Sequence, residues 1–144
     1  MSATANFVRQ HEELFALGSE LAPRLTVERV AAEAPEIRRA LARFAGKLRV
    51  HARMENEALY PRLLVHGDPE VRRRAQALFD ELGPIYAGFD AYLARWPTAE
   101  ALRADPATFV RETFGVLKQL GRRMWRENLE LYPLADAAGA APAA

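Results

Sequence analysis

Four residues in this chain have types and spacings that suggest chemistry: His11, His51, Glu55 and Glu127. Each interrupts a stripe of apolar residues that recurs at helical spacing. His51 and Glu55 are four residues apart, so on a helix their side chains share one face, one turn from each other. A polar side chain on an inward face needs a partner, because burying it without one is unfavourable. A metal ion is one such partner, and imidazole with carboxylate suits Fe, Mn or Zn. A second solution is a salt-bridge network. Arg123 lies one turn before Glu127, and its planar guanidinium could reach both carboxylates. The two carboxylates, Arg123 and one protonated histidine would then balance in charge with no metal.

The pairing of Glu55 with Glu127 rests on an internal repeat. The segment from Leu48 to Pro61 aligns with the segment from Leu120 to Pro133 at an offset of 72 residues, with 6 of 14 positions identical. Both copies end in Glu-Asn-x-x-Leu-Tyr-Pro. The repeat suggests two helix-pair halves related by a pseudo-twofold axis, which would bring Glu55 and Glu127 together. The repeat also places Arg123 where its partner copy has His51.

The elements that must position these residues read as helices. Phe7, His11, Leu14, Phe15, Gly18 and Leu21 form one face of a first helix, with a break near Pro23. Ile37, Leu41, Phe44, Leu48, His51, Glu55 and Leu59 mark a second, with a start expected at Ala34-Pro35. Asp68-Pro69 caps a third through Val71, Ala75, Leu78, Leu82, Ile85, Phe89 and Leu93, with a kink expected at Gly83-Pro84. Thr98 to Ala104 reads as a short helical turn. Asp105-Pro106 starts a fourth long helix carrying Phe109, Thr113, Leu117, Leu120, Met124, Glu127 and Leu131. No window reads as a strand. The expected fold is all-α, an antiparallel up-down four-helix bundle. It occupies residues 1–136, and residues 137–144 form a tail expected to be disordered. Gly46, Gly83, Gly88, Gly115 and Gly121 fall inside helices, where close helix packing is the favoured explanation. Tyr60 and Tyr132 are expected at the same end of the bundle, with hydroxyls near solvent or a carboxylate. His66, in a Gly-Asp-Pro loop, reads as a surface residue. Arg72-Arg73-Arg74 reads as a solvated face.

Composition narrows the function classes. A length of 144 residues suits one domain. The absence of cysteine excludes disulfides, thiolate metal sites and a cysteine nucleophile. A net charge of +1 gives no electrostatic reason to expect a nucleic-acid partner. No apolar run reaches the ~20 residues of a membrane span, and Met1–Glu13 lacks the pattern of a secretory leader. The expectation is a cytoplasmic protein with neither nucleic acid nor membrane as partner.

With its single histidine on helix one, its His51-x-x-x-Glu55 pair and its paired Leu-Tyr-Pro steps, the chain resembles the hemerythrin-like family of HHE cation-binding domains, from His11 to Asp136. The resemblance implies a non-haem iron site. His11 and His51 match the ligands of one iron, and Glu55 and Glu127 match the bridging carboxylates. The three histidines that the family uses for a second iron are missing. Helix three has no histidine, Leu78 and Leu82 align with the expected positions, and Arg123 replaces the histidine of helix four. Three readings follow. One is a single iron at His11, His51, Glu55 and Glu127, serving a small diatomic ligand such as oxygen or NO, or sensing iron itself. Another is a metal-free structural or protein-interaction bundle in which Arg123 replaces the second metal. The third is a two-metal site that recruits Gln76, Asp80 or Glu81. No catalytic residues are expected, and an enzyme ranks last. A protein partner or homodimer stays open, although one chain can complete the site alone.

Overall fold

The structure, a computed structural model, describes residues 3–139. Helices and turns account for nearly all of them, and no strand occurs among the described residues. Helix α1 spans Ala5–Leu21 and closes in a 3₁₀ turn at Ala22–Arg24. Helix α2 spans Val27–Met54, passes through a π-helical turn at Glu55–Leu59, and continues as α3 over Tyr60–Leu64. Helix α4 spans Pro69–Arg95 and α5 spans Ala99–Ala104. Helix α6 spans Pro106–Arg126, passes through a second π turn at Glu127–Leu131, and continues as α7 over Tyr132–Ala137.

Several starts are set by capping side chains. The Thr26 hydroxyl accepts from the Arg29 N–H, the Asp68 carboxylate from Glu70, Thr98 from Ala101 and Asp105 from Thr108. Thr26 explains one correction. The second helix begins eight residues before Pro35, at Val27, and the proline is absorbed by a kink at Glu33 (φ −121°, ψ 28°). Pro35 has no N–H to return to the preceding turn and its ring crowds that turn, and the backbone departs from helical geometry there, two residues before the proline. Conversely, α4 runs without interruption through Gly83-Pro84. The expected count of four helices is also one short, because α5 is a helix in its own right. It packs on α2 and α6 with Leu102 fully buried.

The apolar side chains divide into two clusters. One holds Leu14, Phe44, Leu48, Phe89, Leu120 and Met124. The other holds Phe7, Leu59, Leu82, Leu131 and Leu134. His11, His51, Glu55 and Glu127 fall between them in sequence on every contributing helix, so a polar layer separates two apolar ones. The start of α1 and helix α7 are joined where the Thr4 hydroxyl donates to Asp136 (2.9 Å). Phe15, expected inward, is 41% exposed. It borders a groove between α1 and α6 with Gly18, Phe114 and Gly121. Ala137 is the last residue of α7, and residues 140–144 of the expected tail lie outside the described residues.

Five of the six helix glycines do not serve close packing; Gly18 alone faces a neighbour, Phe44. A Cβ built on Gly46, Gly83, Gly88, Gly115 or Gly121 meets nothing within 4 Å. Each substitution to alanine is therefore expected to stabilise the protein by about 0.5–1 kcal/mol through the lower helix entropy cost. Thermal melts of Gly46→Ala, Gly88→Ala and Gly115→Ala check this, and a lower Tm in any of them would restore the packing explanation.

Candidate metal centre

The repeat motif has a backbone consequence. The N–H of Tyr60 bonds the Glu55 carbonyl and the N–H of Tyr132 bonds the Glu127 carbonyl, each five residues back. The following residues, Pro61 and Pro133, have no N–H to offer an α-helical acceptor. Each Tyr-Pro step thus coincides with one wide turn. In a regular helix, a residue five positions on is rotated well away from its predecessor's face. The wide turn reduces that rotation, and the Tyr132 hydroxyl reaches Glu55 and His11. Such turns recur at functional sites.

All four expected side chains are fully buried and converge. One ligand atom from each of His11, His51, Glu55 and Glu127 lies within 4.8 Å of the others. His11 Nε2 and His51 Nε2 are 2.9 Å apart. His51 Nε2 is 3.1 Å from Glu55 Oε2, and His11 Nε2 is 3.2 Å from Glu127 Oε1. The outer ring nitrogens are held by two amide oxygens. His11 Nδ1–H donates to Asn128 Oδ1 (2.8 Å), and His51 Nδ1–H donates to Gln10 Oε1 (2.6 Å). An amide oxygen only accepts, so both imidazoles carry hydrogen on Nδ1 and turn Nε2 inward.

The Tyr132 hydroxyl completes the centre. It donates to Glu55 Oε2 at 2.6 Å and lies 3.0 Å from His11 Nε2. Five acceptor atoms therefore crowd one point: two imidazole nitrogens, two carboxylate oxygens and the phenol oxygen. Of these, Glu127 Oε1 has no hydrogen-bond donor among the described residues. The phenolic hydrogen and one imidazolium hydrogen can join only some of these contacts, whereas a cation would join all of them. The residues present fit a metal ion on this ground.

Arg123 closes the other side, with 2% of its surface exposed. Its Nε donates to Glu127 Oε2 (3.0 Å), Nη1 to the Leu82 carbonyl (2.8 Å) and Nη2 to Glu55 Oε1 (3.4 Å). Its guanidinium carbon stands 3.4 Å from the centre of the Tyr86 ring, a cation–π contact. The Tyr86 hydroxyl donates to Glu55 Oε1 (3.0 Å). The second-metal alternative has no support in side-chain position. Gln76, Asp80 and Glu81 are all exposed; Gln76 bonds Asp80, and Glu81 pairs with Arg122 and Arg126.

The charges of the centre are strongly coupled. Burial opposes charge on His51, but the facing carboxylates of Glu127 and Glu55 outweigh it and push its pKa up to about 9. Burial also holds Glu55 above the ordinary carboxylate range, helped by the charge on Glu127. Glu127 is held well below that range, because His11, His51 and Arg123 overcome the same burial. Burial and the two carboxylates raise the Tyr132 and Tyr86 phenols far above their ordinary value. In metal-free protein, the stability contributed by protonated His51 is fully present below pH 6.5 and lost as pH rises through about 9. Denaturant titrations across that window should show the fall, and His51→Asn should flatten it. Equal wild-type stability at both ends would refute the assignment.

Sequence reasoning missed Gln10, Asn128, Tyr86 and the Leu82 carbonyl. Asn128 had a signal, its identity in both copies of the repeat; the other three had none. Tyr132 meets a carboxylate as expected, whereas the Tyr60 hydroxyl is buried with no partner among the described residues. His66 is not a free surface residue. Its Nδ1 accepts from the Asp68 N–H (3.0 Å) and its Nε2–H donates to the Ala138 carbonyl (3.0 Å), tying the loop to the end of α7. Arg72 holds the same loop through the His66 carbonyl (2.6 Å).

The model of the hemerythrin HHE cation binding domain matches residues 2–135. The chain belongs to that family. Neither the curated proteins nor the solved structures give a match.

Proposed function

We propose that this HHE-domain protein holds one metal ion, iron, at His11, His51, Glu55 and Glu127. In this reading it works in the cytoplasm as a binding or sensing module for oxygen, NO or iron itself, and not as an enzyme. The long helices form the up-down four-helix bundle that frames the centre, and no second copy, nucleic acid or membrane is needed. The observation that carries this reading is the 2.9 Å approach of two inward Nε2 atoms whose Nδ1–H groups are both engaged. When bound, iron would supply a coordination position open to a small ligand. The protein's own residues do the rest. Gln10 and Asn128 orient the imidazoles. The apolar layers of Phe7 and Leu14 exclude water. Arg123 places a permanent positive charge beside the carboxylates and so disfavours a second ion.

The metal-free reading is favoured by one observation, the engagement of all three Arg123 nitrogens with Glu127, Leu82 and Glu55. Elemental analysis of protein purified anaerobically with and without ferrous iron separates the two. About one iron per chain, lost in His51→Ala, is the expected result. No iron in either preparation would leave the salt-bridged bundle.

A further inference from the structure

The hydroxyl oxygen of Tyr132 stands 2.6 Å from Glu55 Oε2, 3.0 Å from His11 Nε2 and 3.4 Å from His51 Nε2. The phenol has one hydrogen, and its bond to Glu55 uses it. Towards the two imidazoles it therefore presents oxygen lone pairs, against inward nitrogen atoms. The ring is fixed in place. It is 2% exposed, stacks on Phe7 with centroids 5.5 Å apart, and lies 5.3 Å from the His11 ring. The π turn at Glu127–Leu131 sets this position. Tyr60, the matching residue of the repeat, has a buried hydroxyl with no partner among the described residues, so the motif alone does not create the contact.

We infer that Tyr132 is a fifth protein ligand of the metal centre, its phenol oxygen binding the ion directly beside His11, His51, Glu55 and Glu127. This rests on the single-metal reading above. On ligation the O–H bond breaks, the metal–oxygen bond forms and the proton passes to solvent; no electron changes hands. A phenolate is a hard anionic oxygen donor, and hard donors favour ions of high charge density. Three anionic oxygens and Arg123 around a trivalent ion leave the same net charge as two anionic oxygens and Arg123 around a divalent one. Tyr132 therefore fits the centre for ferric iron in particular.

The test is to add ferric ion, as its citrate complex, to metal-free protein. A visible phenolate-to-iron charge-transfer band is expected, with tyrosine ring vibrations enhanced in resonance Raman spectra excited within it. Tyr132→Phe should abolish the band while iron still binds. Tyr60→Phe, Tyr86→Phe and Tyr92→Phe should each keep it, and these are the other three of the 4 tyrosines. If Tyr132→Phe does not fold, retention of the band in all three of those variants, with ring-deuterated tyrosine shifting the Raman lines, still assigns it to Tyr132. Iron bound without the band, or a band that survives Tyr132→Phe, overturns the ligand assignment and leaves the single-metal site intact. No iron bound to the wild type overturns both.

Discussion

Arg123→Ala is expected to destabilise the metal-free protein by about 3–5 kcal/mol, the usual loss when one partner of a buried ion pair is removed. For a domain of this size that lowers Tm by roughly 10–15 °C. The reason is that Glu55 and Glu127 are both fully buried and, among the described residues, Arg123 is the one permanent cation bonded to them. Its removal also strips a donor from the Leu82 carbonyl and the cation from the Tyr86 ring. Adding Glu127→Gln to Arg123→Ala should recover part of the loss, since it removes the uncompensated charge. A loss below about 1 kcal/mol would put the pair in the class of surface ion pairs and defeat the argument. Arg123→His extends the test. It should raise metal affinity if the centre already binds an ion. A fall in stability with no metal gained would make Arg123 a structural counter-ion only, and no fall at all would defeat that role too.

The inward placement of Arg123 was legible in the sequence, and so was the convergence of His11, His51, Glu55 and Glu127. Periodicity marked which residues face inward, and the 72-residue repeat supplied the one long-range pairing, Glu55 with Glu127. Helix starts were legible where a capping side chain preceded a proline, as at Asp68 and Asp105. The same cue misled at Pro35, because a proline inside a long helix and a proline at its first turn look alike locally. The glycines misled for a related reason. A glycine in an amphipathic stretch reports only that a side chain is absent, not what lies opposite it. The groups surrounding the ligands were hidden for a geometric reason. Gln10 neighbours His11 in sequence yet serves His51, 41 residues away. Asn128 serves His11 across 117 residues. Tyr132 reaches the centre only because a π turn breaks the period on which the helical reading depends.

Gln10→Leu and Asn128→Leu are each expected to weaken metal binding by about 10–100-fold, the range found when partners of ligating histidines are removed. Each amide oxygen accepts from one Nδ1–H and thereby keeps that Nε2 turned into the centre. Without the acceptor, the imidazole can place its hydrogen on Nε2 or rotate, and either change takes a lone pair away from the ion. The two side chains are only partly buried, unlike Arg123, so their loss should leave thermal stability nearly unchanged. That contrast gives the test its power. Competition against a chelator for ferrous ion, run beside thermal melts of the metal-free proteins, should show affinity falling while Tm stays. Equal falls in both would mean that the amides support the bundle and not the ligands. No fall in affinity would mean that the imidazoles are oriented by the packing of Phe7 and Tyr132 alone. If the histidines bind no ion, neither variant has an affinity to lose, and the wild-type titration shows this first.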